Sequence, residues 1–324
     1  MMQSGLYGIL FGMAVLLTVS LTGCGQREIV CPGEEARPLE ILFSWEKAPG
    51  ACPEGMTLYF YDADNNGWCR RFDISGSEGG RFELPAGSYN MIAVNNDLPG
   101  VRIDGYQGFH SASAVAQPGG AESGQNVPVV RPTGMLYGAV MTDIEVTLCG
   151  VHYRAPDGSL VECPKGLVRC APDSLANEYH VIFENVNGAD RILSAKGVLS
   201  GMASKLILCE DSAGPDECCV SFSMEVAAVK ESGAVMRGAT TGFGMAAGFG
   251  LHQKYSLTAV IKLKNGNVFS KTYDVSDQVE NYLHSNTIII IINDIDIPTG
   301  DQPGDTGGGF EVGVGGWDIV EIEL

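Results

Sequence analysis

Apolar and polar residues alternate along most of this chain with a period of two, the pattern of strands that bury one face. Leu39, Ile41, Phe43 and Trp45 alternate with Glu40, Leu42, Ser44 and Glu46 until Ala48-Pro49-Gly50 breaks the run. Met56, Leu58 and Phe60 alternate with Thr57, Tyr59 and Tyr61. Asp62-Ala63-Asp64-Asn65-Asn66-Gly67 then supplies dense turn chemistry before a return strand over 68–74. Further strands are expected at 81–84, 88–94 and 136–148, and again at 178–184, 195–199, 205–208, 220–229 and 255–263. Lys264-Asn265-Gly266-Asn267 has Asn-Gly at its centre and predicts a hairpin. Ser276 is expected to cap a short helix reaching Asn281 or Tyr282. The continuous β-branched run 287–292 reads as a central buried strand. A Gly-rich link, 302–309, leads to a last strand pair over 310–324.

Short strands with turn signals every several residues predict an all-β fold of sandwich type. The length of 324 residues suits two domains of roughly 150 each. The stretch 154–173 holds Pro156, Pro164 and Pro172 and is the expected passage between a sandwich over 38–170 and a second over 171–324. Residues 117–128, rich in Gly, Ser and Pro, read as a loop.

The first 23 residues carry no Lys, Arg, Asp or Glu, and 9–21 is almost wholly apolar. Leu21-Thr22-Gly23-Cys24 follows at once. This short apolar segment ending in small residues before a cysteine resembles the lipobox of bacterial lipoproteins. The resemblance implies a signal peptide over 1–23, cleavage after Gly23, lipid on the Cys24 thiol and a tether over 24–37. The absence of Lys and Arg before the apolar run departs from the usual pattern. Two or three acyl chains, at about 0.8 kcal/mol per buried methylene, would hold such a chain durably on a membrane.

Charge removes whole classes of function. Lys and Arg number 20 against 39 Asp and Glu, a net charge of −19. A nucleic-acid binder needs a basic footprint, and docking on anionic lipid needs the same. Ten cysteines are present, at 24, 31, 52, 69, 149, 163, 170, 209, 218 and 219. With Cys24 lipidated, nine remain, so they cannot all pair within one chain. No C-x-x-C occurs, which disfavours a zinc knuckle. Cys209 and Cys218 flank a turn-like segment and are candidates to face each other across a hairpin; the alternative is that most cysteines are small buried hydrophobes.

Chemical motifs are sparse. Asp62-x-Asp64-x-Asn66-Gly67, with Asp73 eleven residues after Asp62, mimics a calcium loop, but it lacks the terminal Glu and the flanking helices. A polar hairpin tip is the expected reading. Asp294 and Asp296 share a strand face and read as solvated surface rather than an acid pair. The Gly-rich run 242–250 lacks a following Lys-Ser/Thr, so it marks a loop or a close-packed strand. No catalytic constellation, metal site or cofactor site is expected.

Several pieces coincide: Leu21-Thr22-Gly23-Cys24, Met56-Thr57-Leu58-Tyr59-Phe60-Tyr61, Leu84-Pro85-Ala86-Gly87-Ser88-Tyr89, Leu199-Ser200-Gly201-Met202-Ala203, and Phe310-Glu311-Val312-Gly313-Val314 before Trp317. In this order they resemble the fimbrillin-type surface lipoproteins of Bacteroidales, related to fimbria anchor and accessory subunits. The resemblance implies two tandem transthyretin-like, Greek-key β-sandwiches, outer-membrane attachment through Cys24, and a non-enzymatic role in fimbria anchoring, assembly or adhesion. It also implies partners among fimbrial subunits, joined by strand complementation.

The terminal segment fits that expectation. Phe310, Val312 and Val314 share one face. After Gly315-Gly316 and Trp317, Val320, Ile322 and Leu324 alternate with Glu321 and Glu323. Such a segment either closes its own second sandwich or pairs with a neighbour's edge. A second functional reading is a glycan- or protein-binding surface lipoprotein that uses Tyr59, Tyr61 and Trp68 as exposed aromatics.

Overall fold

The computed structural model describes residues 36–299 apart from 68, 121–126, 148, 156, 164, 231–232, 248–253 and 282–285. In the first part of the chain the strands are β1 (Ala36–Phe43), β2 (Gly55–Asp62), β3 (Cys69–Ser75), β4 (Gly79–Pro85), β5 (Gly87–Asn95), β6 (Val101–Asp104), β7 (Ser113–Ala116), β8 (Val129–Val130) and β9 (Tyr137–Thr147). Next come β10 (Gly150–Arg154), β11 (Leu160–Cys163), β12 (Leu167–Cys170), β13 (Asp173–Ser174), β14 (Asn177–Asn187), β15 (Ile192–Ala203), β16 (Lys205–Ile207) and β17 (Ser212–Ala213). The remaining strands among the described residues are β18 (Glu217–Lys230), β19 (Gly233–Gly242), β20 (Ser256–Leu263), β21 (Val268–Asp274) and β22 (Thr287–Asp296), with a short α-helix, α1 (Ser276–Glu280), before β22. The fold is all-β, as the alternation predicts.

Among the described residues the strands form four sheets. A three-stranded sheet in the order β12-β1-β4 faces a seven-stranded sheet in the order β11-β10-β9-β5-β2-β3, with β13 beside β9. Leu39 and Ile41 from the small sheet meet Met56, Leu58, Phe60, Met91 and Ile144 from the large one, all but fully buried. These are the inward positions of alternating strands, and their burial makes the first core. Proline-bearing 154–173, expected as a passage, carries β11 and β12; β12 runs parallel to β1 and sends Val168 and Cys170 into this core.

The second core lies under an eight-stranded sheet in the order β21-β20-β15-β18-β19-β14-β22, with β8 beside β18. Its buried face carries Tyr179, Val181, Phe183, Leu199, Leu257, Ile261 and Ile290. A four-stranded sheet, β17-β16-β7-β6, contributes Ala114 and Leu206 to the same core. So does the far face of the seven-stranded sheet, through Tyr59, Tyr61, Ile92 and Val94. β2 is therefore buried on both faces: Met56, Leu58 and Phe60 belong to the first core, Tyr59 and Tyr61 to the second. β7 and β8, from the first part of the chain, pair with β16 and β18 from the second. The Lys264–Asn267 hairpin forms as expected, with Gly266 at φ 90° and the Leu263 N–H donating to the Asn267 carbonyl at 2.8 Å.

Candidate functional site

Cys24 and the terminal-strand residues Phe310, Val312, Val314, Trp317, Val320 and Ile322 lie outside the described residues, as does Trp68. Two other expected surface residues are placed, and the expectation fails. Tyr59 and Tyr61 are 4% and 0% exposed, because a second core covers the face of β2 that was read as solvent-facing.

The calcium-like loop is a hairpin tip. The Asp62 carboxylate accepts from the Asp64 N–H at 2.9 Å, and Asn65 Oδ1 accepts from the Gly67 N–H at 2.7 Å. Asp73 sits on β3, where it accepts from Thr57 Oγ1 at 2.5 Å and Arg71 Nε at 3.0 Å. The carboxylates thus hold turns and strands, and no metal-ligating cluster occurs among the described residues. In the 242–250 run, Gly242 ends β19 against Met202, where an added Cβ would come within 2.5 Å of the methionine methyl.

Cys209 and Cys218 do not pair. Cys218 points into the second core, whereas Cys209 lies 3.7 Å from His110 Nδ1. Burial raises the Cys170 and Cys218 thiols to about 12, which keeps them protonated and inert. Cys170, Cys218 and Cys219 are buried, as small hydrophobes should be. Cys52 and Cys149 are exposed.

The main departure from expectation is β22. Its sequence TIIIIINDID reads as a strand buried on both faces, yet it ends the eight-stranded sheet among the described residues. It pairs in parallel with β14, from Glu178↔Thr287 to Asn187↔Asp296. Ile288, Ile290 and Ile292 enter the core, while Ile289 and Ile291 are 37% and 41% exposed. The opposite face of this sheet is not covered by another layer among the described residues, so the isoleucines on that face remain at the surface. Near its end the strand kinks together with its partner: Asn185 and Asp294 both have positive φ, 54° and 57°. Asn185 and Asn187 amides donate to the carboxylates of Asp294 and Asp296 at 3.0 and 2.8 Å. Both Asp residues are exposed, and each is hydrogen-bonded to an asparagine of β14.

An edge strand exposes a row of unpaired peptide groups. Here α1 intervenes. Gln278 Nε2 donates to the Ile291 carbonyl at 3.0 Å, and the Ile291 N–H donates to Gln278 Oε1 at 2.7 Å. The side-chain amide thus stands in for one peptide group of an adjacent strand. By strand alternation, the peptide groups of Ile289 and Asn293 face the same way, and no strand lies beside them among the described residues.

The helix is anchored from both ends of the preceding turn. Val279 is buried, and Ser276 Oγ donates to Asp274 Oδ1 at 2.7 Å while accepting from the Tyr255 N–H at 3.0 Å. Ser276 is therefore the first helical residue rather than the cap; Val275 holds the cap position without a side-chain hydrogen bond. Hydrogen bonds from Lys254 and Ser276 lower the Asp274 carboxyl to about 2. Sequence reasoning finds the helix but misses Gln278, since a single glutamine on a short helix carries no signal of the strand it will meet.

The model of the family described as Domain of unknown function (DUF5119) matches residues 23–225. The chain belongs to this family. Curated proteins offer no sequence match. Among solved structures, this DUF5119 chain is similar to a candidate adhesin from Bacteroides ovatus, with a TM-score of 0.61, 15% identity, and coverage of 86% of this chain and 99% of that one. It is also similar to the fimbrial anchor protein Mfa2 from Porphyromonas gingivalis, with a TM-score of 0.50, 14% identity, and coverage of 80% and 91%. At these identities the likeness is one of fold, and it extends over most of this chain and nearly the full length of the two solved structures.

Proposed function

We propose that the protein is a cell-surface lipoprotein of the outer membrane that serves as a structural, anchoring or accessory component of fimbriae, without catalytic activity. The observation that carries this reading is the shared fold over 99% of the candidate adhesin and 91% of the fimbrial anchor. Lipid on Cys24 supplies the attachment; no helix among the described residues is long and apolar enough to cross a membrane. The segment 310–324 supplies the connection, donating a strand to a neighbouring fimbrial subunit. Its alternating faces suit that role, and Gln278 covers the Ile291 peptide groups on the β22 edge of the chain's own sheet.

Attachment is tested by fractionating cells that express the wild type or Cys24→Ala and labelling both with a fatty-acid analogue. Loss of label and release of the variant from membranes are expected. Persistent labelling of Cys24→Ala overturns the anchor.

A further inference from the structure

A cleft of about 250 Å³ is lined by residues of β2, β3, β5 and β6 and of the loops after β5 and β6. Tyr59 lines it, its ring packed against Tyr106 with centroids 5.8 Å apart and planes tilted by 32°. Tyr106 is 40% exposed. An exposed tyrosine is ordinary when its loop is slack, but this loop is braced at three points. Phe109, three residues on, is buried edge-on against Tyr61 at 5.5 Å. Ser111 Oγ donates to the Gly105 carbonyl at 2.6 Å. Gly105 itself has φ 63°, and an added Cβ would lie 2.2 Å from the Ser111 carbonyl oxygen. The ring of Tyr106 is thus presented in advance, with little entropy left to lose on binding.

Two guanidinium groups line the same cleft. Arg71 lies 5.9 Å from the Tyr59 ring centre and donates to Asp73. Arg102 donates through Nε and Nη2 to Asp104, both at 2.6 Å. Each arginine meets its carboxylate through two of its three nitrogens, and no other hydrogen bond from either guanidinium occurs among the described residues. Asn96 adds an amide that donates to Thr57 at 3.3 Å. The lining therefore combines the two tyrosines and a set of donors and acceptors whose charges balance internally with the aliphatic side chains of Val94, Leu98, Val101 and Ile103.

We propose that this cleft binds a neutral saccharide, one sugar ring stacked on Tyr106 and its hydroxyls bonded by Arg71, Arg102 and Asn96. Balance of charge is what selects the ligand class. An anionic ligand would need uncompensated cations, and here each arginine already has an aspartate, on a chain of net charge −19. Vicinal hydroxyls, each both donor and acceptor, match an arginine–aspartate pair. The volume lies just below the roughly 300–1,000 Å³ of drug-sized sites, which limits the occupant to a ring or two. This inference stands apart from the fimbrial assignment, so either can fail alone.

The test is saturation-transfer NMR on the full chain with methyl glycosides of glucose, galactose, mannose and N-acetylglucosamine, and with sulfate and glucuronate as charged competitors. Binding of at least one neutral glycoside at millimolar concentration is expected, lost by about tenfold or more in both Tyr106→Ala and Arg102→Gln. Melting curves report whether each variant is folded, and if one is not, the other decides. Absence of binding by every glycoside up to about 10 mM overturns the proposal. Undiminished binding in a folded variant, or tighter binding of sulfate or glucuronate than of any neutral glycoside, does the same.

Discussion

Replacing Gln278 by Ala removes both hydrogen bonds that cover Ile291, at 2.7 and 3.0 Å. At about 0.5–1.5 kcal/mol net for each, the gross loss is on the order of 2 kcal/mol. Freeing the glutamine side chain from one rotamer returns up to about 1 kcal/mol. The net change is therefore about 1 kcal/mol, roughly a fivefold shift in a local opening equilibrium. The direct readout is hydrogen exchange at the Ile291 amide in the full chain, with the Ile290 and Ile292 amides, which face β14, as internal references. Exchange at Ile291 should speed up about fivefold while the references hold. Gln278→Glu separates the two bonds, because a carboxylate still accepts from the Ile291 N–H but cannot donate to its carbonyl. Its Ile291 amide should remain nearer to wild type than that of the alanine variant. Unchanged or slower exchange at Ile291 in Gln278→Ala would refute the clamp.

Three further outcomes are expected. Gly79→Ala places a Cβ 2.0 Å from the Ile41 carbonyl at φ 121°, and should cost about 2–4 kcal/mol, visible as a lower denaturation midpoint; an unshifted midpoint would show that β1 and β4 yield without strain. Asp274, lowered to about 2 from 3.8, contributes stability that is fully present above pH 3.8 and fades as pH falls toward 2; an NMR titration of its carboxyl should centre near 2, and a midpoint near 3.8 would contradict the Lys254–Ser276 arrangement. In the folded protein at pH 8, Cys52 and Cys149 should react with a thiol reagent while Cys170 and Cys218 stay silent until denaturation; rapid labelling of Cys218 would disprove its burial in the second core.

Much of the architecture is legible in local pattern, because a period of two reports one buried face. β2, β5, β14 and β20 appear where the alternation puts them. What local pattern cannot report is the second face. Thr57, Tyr59 and Tyr61 look like the solvent side of β2 because threonine and tyrosine tolerate water, yet all three are buried, the two tyrosines in a core that β7 and β14 share. The reverse error occurs at β22. Five successive isoleucines suggest two buried faces, yet Ile289 and Ile291 are 37% and 41% exposed on a strand that ends its sheet among the described residues. β-Branched residues favour extended backbone on either face, so the run reports strand propensity rather than position in the sheet. The short strands β6, β7 and β8 carry little alternation of their own and take their place from β16 and β18. The cleft was still less visible, since Tyr59, Arg71, Arg102 and Tyr106 come together only through folding.

The central proposal, that segment 310–324 joins this chain to a fimbria, is most directly tested by photo-cross-linking in living bacterial cells that display fimbriae. A photoreactive residue replaces Ile322, and the products are identified by mass spectrometry of the outer-membrane fraction. The account predicts an intermolecular adduct between residue 322 and a fimbrial subunit. Exclusively intramolecular adducts, in cells that display fimbriae, would contradict it.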